Sequence, residues 1–345
     1  MDKNYQIVFP EMNKVELIEV PFPEIKEGQI LTKTIVSQIS TGTELTMLQG
    51  NVDKDSTWQN DLVYPMYPGY SNVCEVIDIG EDVPEDWLGK KVLSICPHAR
   101  YVAGNLSDGY FPISDGVNYD EAVFGIIAQV CLGSMRAAKI RPGETIVVFG
   151  AGLIGQFVAR FAKIAGALNV IVADVSDYKL SKVPEDDCYI KLNSGNMSKE
   201  EIQDFIKKYN NGKLADIVFE TTSSPKLIEN EVYYVEKNGK LIITSSPKGK
   251  SVIDFDYCNR MGLTIIGAHN WAVHTSTATN FDRWTRFEDT KYYLELLAKN
   301  QLSVENMISH RANYSEAVDI YKMLMADRSK ALGVNFYWND GQKCL

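Results

Sequence analysis

Apolar positions change their spacing near residue 121. Up to about residue 115 they form short runs, among them Gln29–Ile39, Val73–Ile79 and Lys91–Cys96, broken by Pro, Gly and Asp turns. That pattern predicts a mainly β region. From about Glu121, helical spacing alternates with short β-branched runs. A helix over Ala122–Lys139 precedes strands at Thr145–Phe149, Asn169–Ala173, Ile217–Phe219, Lys240–Thr244 and Leu263–Ile266. Strands separated by helices predict an α/β fold with a doubly wound parallel sheet. After Gly267 come the helical runs Glu288–Lys299 and Tyr314–Ala326 and a strand-like Ala331–Tyr337. No repeat, low-complexity tract or flexible linker interrupts the order. The α/β part, residues 119–269, therefore reads as an insertion in one β-rich domain made of residues 1–118 and 270–345.

Within the insertion, Thr145–Asp174 carries the most chemistry. Thr145–Phe149 reads as a strand buried on both faces. Gly150, Gly152 and Gly155 follow it. The first permits a tight turn, the second lets amides approach a pyrophosphate, and the third lets the next helix pack closely on the strand. That helix starts near Leu153, and its first amides, with Leu153 and Ile154, attract phosphate charge. Leu153, Ile154, Phe157, Val158, Phe161 and Ile164 give it an apolar face. The next strand ends on Asp174, roughly 20 residues past the last glycine, where a carboxylate binds the adenosine ribose hydroxyls. A carboxylate there repels a 2′-phosphate, so the expected cofactor is NAD rather than NADP. A domain of this type that has lost its cofactor, or that binds another adenine nucleotide, fits the same residues.

Composition narrows the class. A chain of 345 residues with 45% hydrophobic content can build two cores. No apolar run approaches the ~20 residues of a membrane span, and MDKNYQIVFP lacks a basic region followed by an apolar one, so the chain reads as cytoplasmic. Cys74, Cys96, Cys131, Cys188, Cys258 and Cys344 are scattered without disulfide or zinc-knuckle spacing, and reduced thiols are expected. A net charge of −10 argues against nucleic acid and anionic membranes as partners. A small-molecule substrate is the expected partner.

Further segments carry a resemblance. Ile39-Ser40-Thr41-Gly42-Thr43-Glu44 resembles a Cys-Gly-Thr-Asp turn. Tyr67-Pro68-Gly69-Tyr70-Ser71, followed by Glu75-Val76-Ile77-Asp78-Ile79-Gly80, resembles a Pro-Gly-His-Glu segment and the strand after it. Arg141-Pro142-Gly143-Glu144 is similar to the turn before a nucleotide-binding strand, and Ile308-Ser309-His310-Arg311 to the approach to a last helix. In this order, along nearly the whole chain, they resemble the medium-chain dehydrogenase/reductase superfamily, the zinc-dependent alcohol dehydrogenase-like proteins. The resemblance implies a Rossmann domain inserted in a GroES-like catalytic domain. It also implies a homodimer or homotetramer, with Leu263–Ile266 pairing across subunits to cover a β edge.

The departures from that pattern bear on the chemistry. Zinc-dependent members take ligands from the Cys of the first turn, the His of Pro-Gly-His-Glu and a later Cys or Glu. The matching positions here are Thr41 and Tyr70, and the helix near Ile126 and Ile127 offers neither carboxylate nor thiol. A catalytic zinc needs three such ligands, so no metal is expected. Cys96 and His98 are two ligands and do not close a site.

Without a Lewis acid, something else must handle the alkoxide and its proton. By resemblance the candidates are Thr43 and Tyr70, with Glu44 to orient a substrate hydroxyl or a hydroxyl of the nicotinamide ribose. Each has a structural alternative: Thr41 and Thr43 as partners of turn amides, Tyr70 as packing, Glu44 as a helix cap. Gly267-Ala268-His269-Asn270-Trp271 follows the last strand of the sheet, where ligands collect. His269 is the candidate imidazole there, and a capping or surface histidine fits the position as well. Thr41, Asn270 and Trp271 are candidate substrate contacts, Trp271 as a wall for a ring face; His274 and His310 fall on no assignable position. Resemblance places Thr221 and Ser245 near the cofactor.

The expected function is a zinc-independent, NAD-dependent oxidoreductase acting on a secondary alcohol or ketone, such as a polyol, sugar or cyclitol. A quinone or enone reductase and a non-catalytic NAD-binding sensor or structural protein are the alternatives.

Overall fold

The computed structural model of the chain describes residues 3–275, 277–279 and 282–339. Close packing divides the chain into two units. Met1–Asn51, Asn60–Ile127 and Thr290–Leu345 form one; Val52–Gln59 and Ala128–Asp289 form the other. The borders expected after residues 118 and 269 come earlier in the chain than these. The observed borders fall inside the helices Gly125–Ala138 and Arg286–Ala298. The segment Val52–Gln59 has no signature in the sequence that would assign it to the second unit.

The second unit holds the strands Thr145–Phe149, Asn169–Asp174, Tyr189–Asn193, Ala215–Glu220, Val235–Ile243 and Thr264–Gly267. Counted in chain order they lie 3-2-1-4-5-6, and every neighbouring pair is parallel. This is the doubly wound order in which ligands collect at the carboxyl ends of the strands. All five residues of Thr145–Phe149 are buried, as a strand covered on both faces requires. The helix Leu153–Ile164 buries Phe157, Val158 and Phe161. Ile164, expected on the same face, is 41% exposed at the helix's last position.

In the first unit, Asn4–Val8 and Glu16–Val20 form an antiparallel ribbon. The larger sheet runs Ile308–Asn313, Gly333–Tyr337, Gln29–Gln38, Asn72–Ile79, Lys91–Ser94 and Tyr110–Pro112, with Tyr101–Asn105 also paired to Gln29–Gln38. The late strand Gly333–Tyr337 lies antiparallel to the early strand Gln29–Gln38, with Asn335 opposite Gln38. Both ends of the chain thus build one sheet, and the doubly wound unit is an insertion in it. Ile7, Phe9, Leu45, Tyr321, Phe336 and Trp338 sit in the core beside that sheet. Each such buried side chain contributes on the order of 2–3 kcal/mol relative to exposure.

The single helix expected over Ala122–Lys139 is two, Tyr119–Ala122 and Gly125–Ala138. A Cβ on Gly125 would stand 2.3 Å from Leu93 Cδ2, so the break falls where the chain passes too close to the sheet for a side chain. Among the described residues, no helix is long and apolar enough to cross a membrane.

Candidate functional site

In the doubly wound unit the site is built on backbone. Gly150 leaves its strand at φ +99°, a region that glycine enters without strain. A Cβ on Gly155 would lie 1.7 Å from Gly150 O, so helix and turn touch backbone to backbone. At Gly152 the Cβ position has no atom within 4 Å, and no side chain caps the helix that follows. The amino end of Leu153–Ile164, with the amides of Leu153 and Ile154, is left open to an anion. Asp174 stands beside it. Its Oδ2 accepts the Ala151 N–H at 2.6 Å and its Oδ1 the Ser176 N–H at 2.8 Å, and the carboxylate remains partly exposed. The open Gly152 face, the helix end and the adjacent acid fit a dinucleotide.

The next two strand ends turn their side chains inward. Thr221 donates its hydroxyl to Phe149 O at 2.7 Å, and Ser245 donates its own to Glu220. Glu220 is fully buried and also accepts the Thr222 N–H at 2.5 Å, the Thr222 hydroxyl at 2.7 Å and the Ser223 N–H at 2.8 Å. One carboxylate therefore fastens the loops after the fourth and fifth strands, and those loops offer a ligand their backbone. Beyond the sixth strand, exposed His269 precedes the short helix Asn270–Val273, and its carbonyl accepts the Ala272 and Val273 N–H groups. Asn270 Oδ1 accepts from Gln129 at 3.2 Å. The side chain of Trp271 lies outside the described residues. His274 is buried with its ring nitrogens 3.1 Å from Asn270 O and 2.9 Å from Asp289 Oδ2; Asp289 also takes the Arg136 guanidinium. These contacts make His274 a structural residue.

In the β-rich unit the candidates meet in a buried network. Thr43 opens the helix Thr43–Gln49, and the Thr41 carbonyl accepts from Arg328 at 3.3 Å. The Tyr70 phenol donates to Ser40 Oγ. Glu44 is 1% exposed. Its Oε1 accepts the Ser40 N–H at 2.8 Å, and its Oε2 takes the Tyr321 hydroxyl and lies 3.2 Å from His98 Nε2. On the far side, His98 Nδ1 lies 2.8 Å from Ser37 Oγ, which accepts the Trp338 indole N–H at 2.8 Å.

Ser37 has one proton to give, and Nδ1 needs it if Nε2 carries the ring proton. The contacts fit a His98 that donates from Nε2 to Glu44 and accepts at Nδ1 from Ser37. Burial and the Glu44 carboxylate push the Tyr321 phenol well up, which keeps it a donor. His98 also seats the loop that ends in Tyr70. Its N–H donates to Pro68 O at 2.8 Å, and a Cβ on Gly69 would come within 2.6 Å of His98 N. Glu44, expected to orient a substrate hydroxyl, thus has both oxygens engaged inside its own unit and ties down the chain ahead of its helix.

These donors do not fit a catalytic zinc. Thr41 and Tyr70 offer hydroxyls, which are not among the usual zinc ligands. Cys96 lies against the Tyr110 hydroxyl at 3.4 Å, and burial raises its thiol pKa away from the thiolate that metals bind. No group of three His, Cys, Asp or Glu side chains gathers to hold a metal among the described residues.

Sequence reasoning treated His98 only as one of two insufficient metal ligands, and singled out none of Ser37, Tyr321, Trp338, Gln129 or the anchoring role of Glu220. No local pattern marks them, because their partners come from distant segments.

The fold and the glycine turn define an α/β protein of dinucleotide-binding architecture. Residues 154–284 match the family model described as zinc-binding dehydrogenase. Sorbitol dehydrogenase 1 of Saccharomyces cerevisiae is 23% identical, over 93% of this chain and 94% of its own length. Galactitol-1-phosphate dehydrogenase from Escherichia coli shares the fold at a TM-score of 0.79 and 19% identity, over 96% of this chain and 99% of that one. A short chain alcohol dehydrogenase from E. coli CFT073, crystallised with NADH, does so at a TM-score of 0.80 and 16% identity, over 98% and 100%. Along nearly its whole length the chain is thus similar to alcohol and polyol dehydrogenases, in keeping with the resemblance to the medium-chain dehydrogenase/reductase superfamily.

Proposed function

We propose that this protein is a zinc-independent, NAD-dependent dehydrogenase that interconverts a secondary alcohol, a polyol, sugar or cyclitol, with its ketone. The observation that carries the reading is the open Gly152 face at an uncapped helix end with Asp174 beside it. The alcohol class is supported by the similarity to dehydrogenases of sorbitol and galactitol 1-phosphate.

When bound, NAD supplies the hydride acceptor. The amides after Gly152 hold its pyrophosphate, Asp174 accepts from the adenosine ribose hydroxyls, and the loop backbones at Thr221 and Ser245 border the rest. The alcohol proton is the task of the β-rich unit. In ketone reduction Tyr70 turns its phenolic proton from Ser40 Oγ to the forming alkoxide, and the phenolate left behind regains a proton from solvent. Alcohol oxidation runs the same steps in reverse, with Thr43 supplying a second hydroxyl. Thr41, His269, Asn270 and Trp271 are assigned to the substrate's remaining groups. The protein works as a homodimer or homotetramer, a reading supported by the exposed residues of the outermost strand, Thr264–Gly267.

The test is NADH formation at neutral to alkaline pH, with chelator present, across polyols, cyclitols and sugar derivatives. Turnover on one of them supports the reading. Silence across the panel, with double-bond reduction of a quinone or enone, overturns it.

A further inference from the structure

The helix Pro225–Glu231 follows the strand Ala215–Glu220 and packs back on it. Its last residue, Glu231, is completely buried, and among the described residues neither of its carboxyl oxygens has a hydrogen-bond partner. An ionised carboxylate without donors in such a place costs several kcal/mol, so the group keeps its proton. Burial, and then the Glu220 carboxylate, push its pKa well above the usual carboxylate range. The titratable groups that face it are Glu220, from the strand, and Tyr234, from the turn after the helix, whose phenol is pushed up to about 12 by burial and by Glu231.

The two glutamates are opposites. Glu220 accepts four hydrogen bonds, from Thr222 twice and from Ser223 and Ser245, an acceptor-only role that suits an anion. Glu231 accepts none. A charge on Glu231, which the Glu220 carboxylate reaches electrostatically, would have no donors to stabilise it and would repel the charge that holds both loops.

We propose that Glu220 is the positioning residue of the loops after the fourth and fifth strands, and that the buried carboxyl of Glu231 makes this grip proton-dependent. While Glu231 is neutral, Glu220 is the one anion of the pair and the loops are locked. Loss of the Glu231 proton sets two carboxylates against each other and loosens Thr222, Ser223 and Ser245. The consequence for cofactor binding rests on the reading that these loops border NAD.

The sign of the pH effect follows from the raised pKa. Glu231 favours the folded state fully below its ordinary 4.5, and that contribution is lost as pH rises from there toward the raised value. The test compares the full-length wild type with Glu231→Gln, which imitates the protonated acid, and with Glu231→Met, which keeps the volume without polar atoms. Melting temperatures without cofactor, from about pH 5 to about pH 9, are expected to diverge as pH rises, the wild type falling behind both variants by about 5 °C. In fluorescence titrations, NADH binding by the wild type is expected to weaken several-fold as pH rises while Glu231→Gln holds its affinity, and Glu220→Gln is expected to lose about tenfold at every pH. Parallel melting profiles, or wild-type NADH affinity in Glu220→Gln, overturn the proposal. Diverging melting profiles with no NADH binding in any protein uphold the lock and overturn the cofactor reading instead.

Discussion

The glycine turn of the doubly wound unit and the Glu44–His98 network of the β-rich unit both hold a few polar groups still, by different means. The turn does it with backbone from one short stretch. Gly150, Gly152, Gly155 and Asp174 all lie between Thr145 and Asp174, and their geometry depends on what is missing, since a Cβ on Gly155 would strike a carbonyl at 1.7 Å. The network does it with side chains from far apart. Glu44 and Tyr321 are separated by 277 positions, and Ser37 and Trp338 by 301. The lesson is that the first region leaves no room for an atom added at Gly155 and the second depends on every donor that reaches Glu44. Glu231 sharpens the second point, because it shows in the same chain what a buried carboxyl without donors must do.

This contrast can be broken by mutation. The largest effect is expected for His98→Ala, which takes a donor from buried Glu44 and leaves a void under the Tyr70 loop. A loss of about 4 kcal/mol, seen as a lower denaturant midpoint, with NADH affinity retained, is the expected outcome; wild-type stability would show that the network holds nothing. Gly155→Ala reverses the pattern, forcing helix and turn apart at a cost of about 3 kcal/mol and abolishing NADH binding in a fluorescence titration. Retained binding would refute the close-packing role.

Tyr70→Phe removes only the hydroxyl. Turnover of the substrate found in the panel is expected to fall about a hundredfold, with cofactor affinity and melting temperature little changed, whereas unchanged turnover returns Tyr70 to a packing role. The smallest effect is expected for Asp174→Ala: about tenfold weaker NADH binding, or roughly 1.4 kcal/mol, with a narrower preference over NADPH. An unchanged ratio of the two affinities removes Asp174 from the ribose site.

Much of the second unit was legible in the sequence. Its central strands and glycine turn are written in contiguous residues whose spacing answers to local geometry. The exceptions are instructive. The expected helix over Ala122–Lys139 is interrupted just before Gly125, whose missing side chain lets the chain pass close to Leu93 from another part of the sequence. Ile164 fits the apolar face by spacing yet is exposed at the last turn of its helix. The candidate residues of the first unit were legible as positions and not as roles. Glu44 read as a partner of a substrate or nicotinamide ribose hydroxyl or as a helix cap, and only folding brings His98 and Tyr321 to its carboxyl.

By itself, then, the sequence determined the alternation of strands and helices and the glycine turn with its closing acid. Those properties depend on neighbours along the chain, and a residue's neighbours are in its sequence. The tertiary structure decided that His98 and Tyr321 meet Glu44, that Glu220 binds two loops and that Glu231 is left, among the described residues, with no donor at all. Whether a carboxyl is charged depends on which donors reach it through space, and those donors come from segments that only folding brings together.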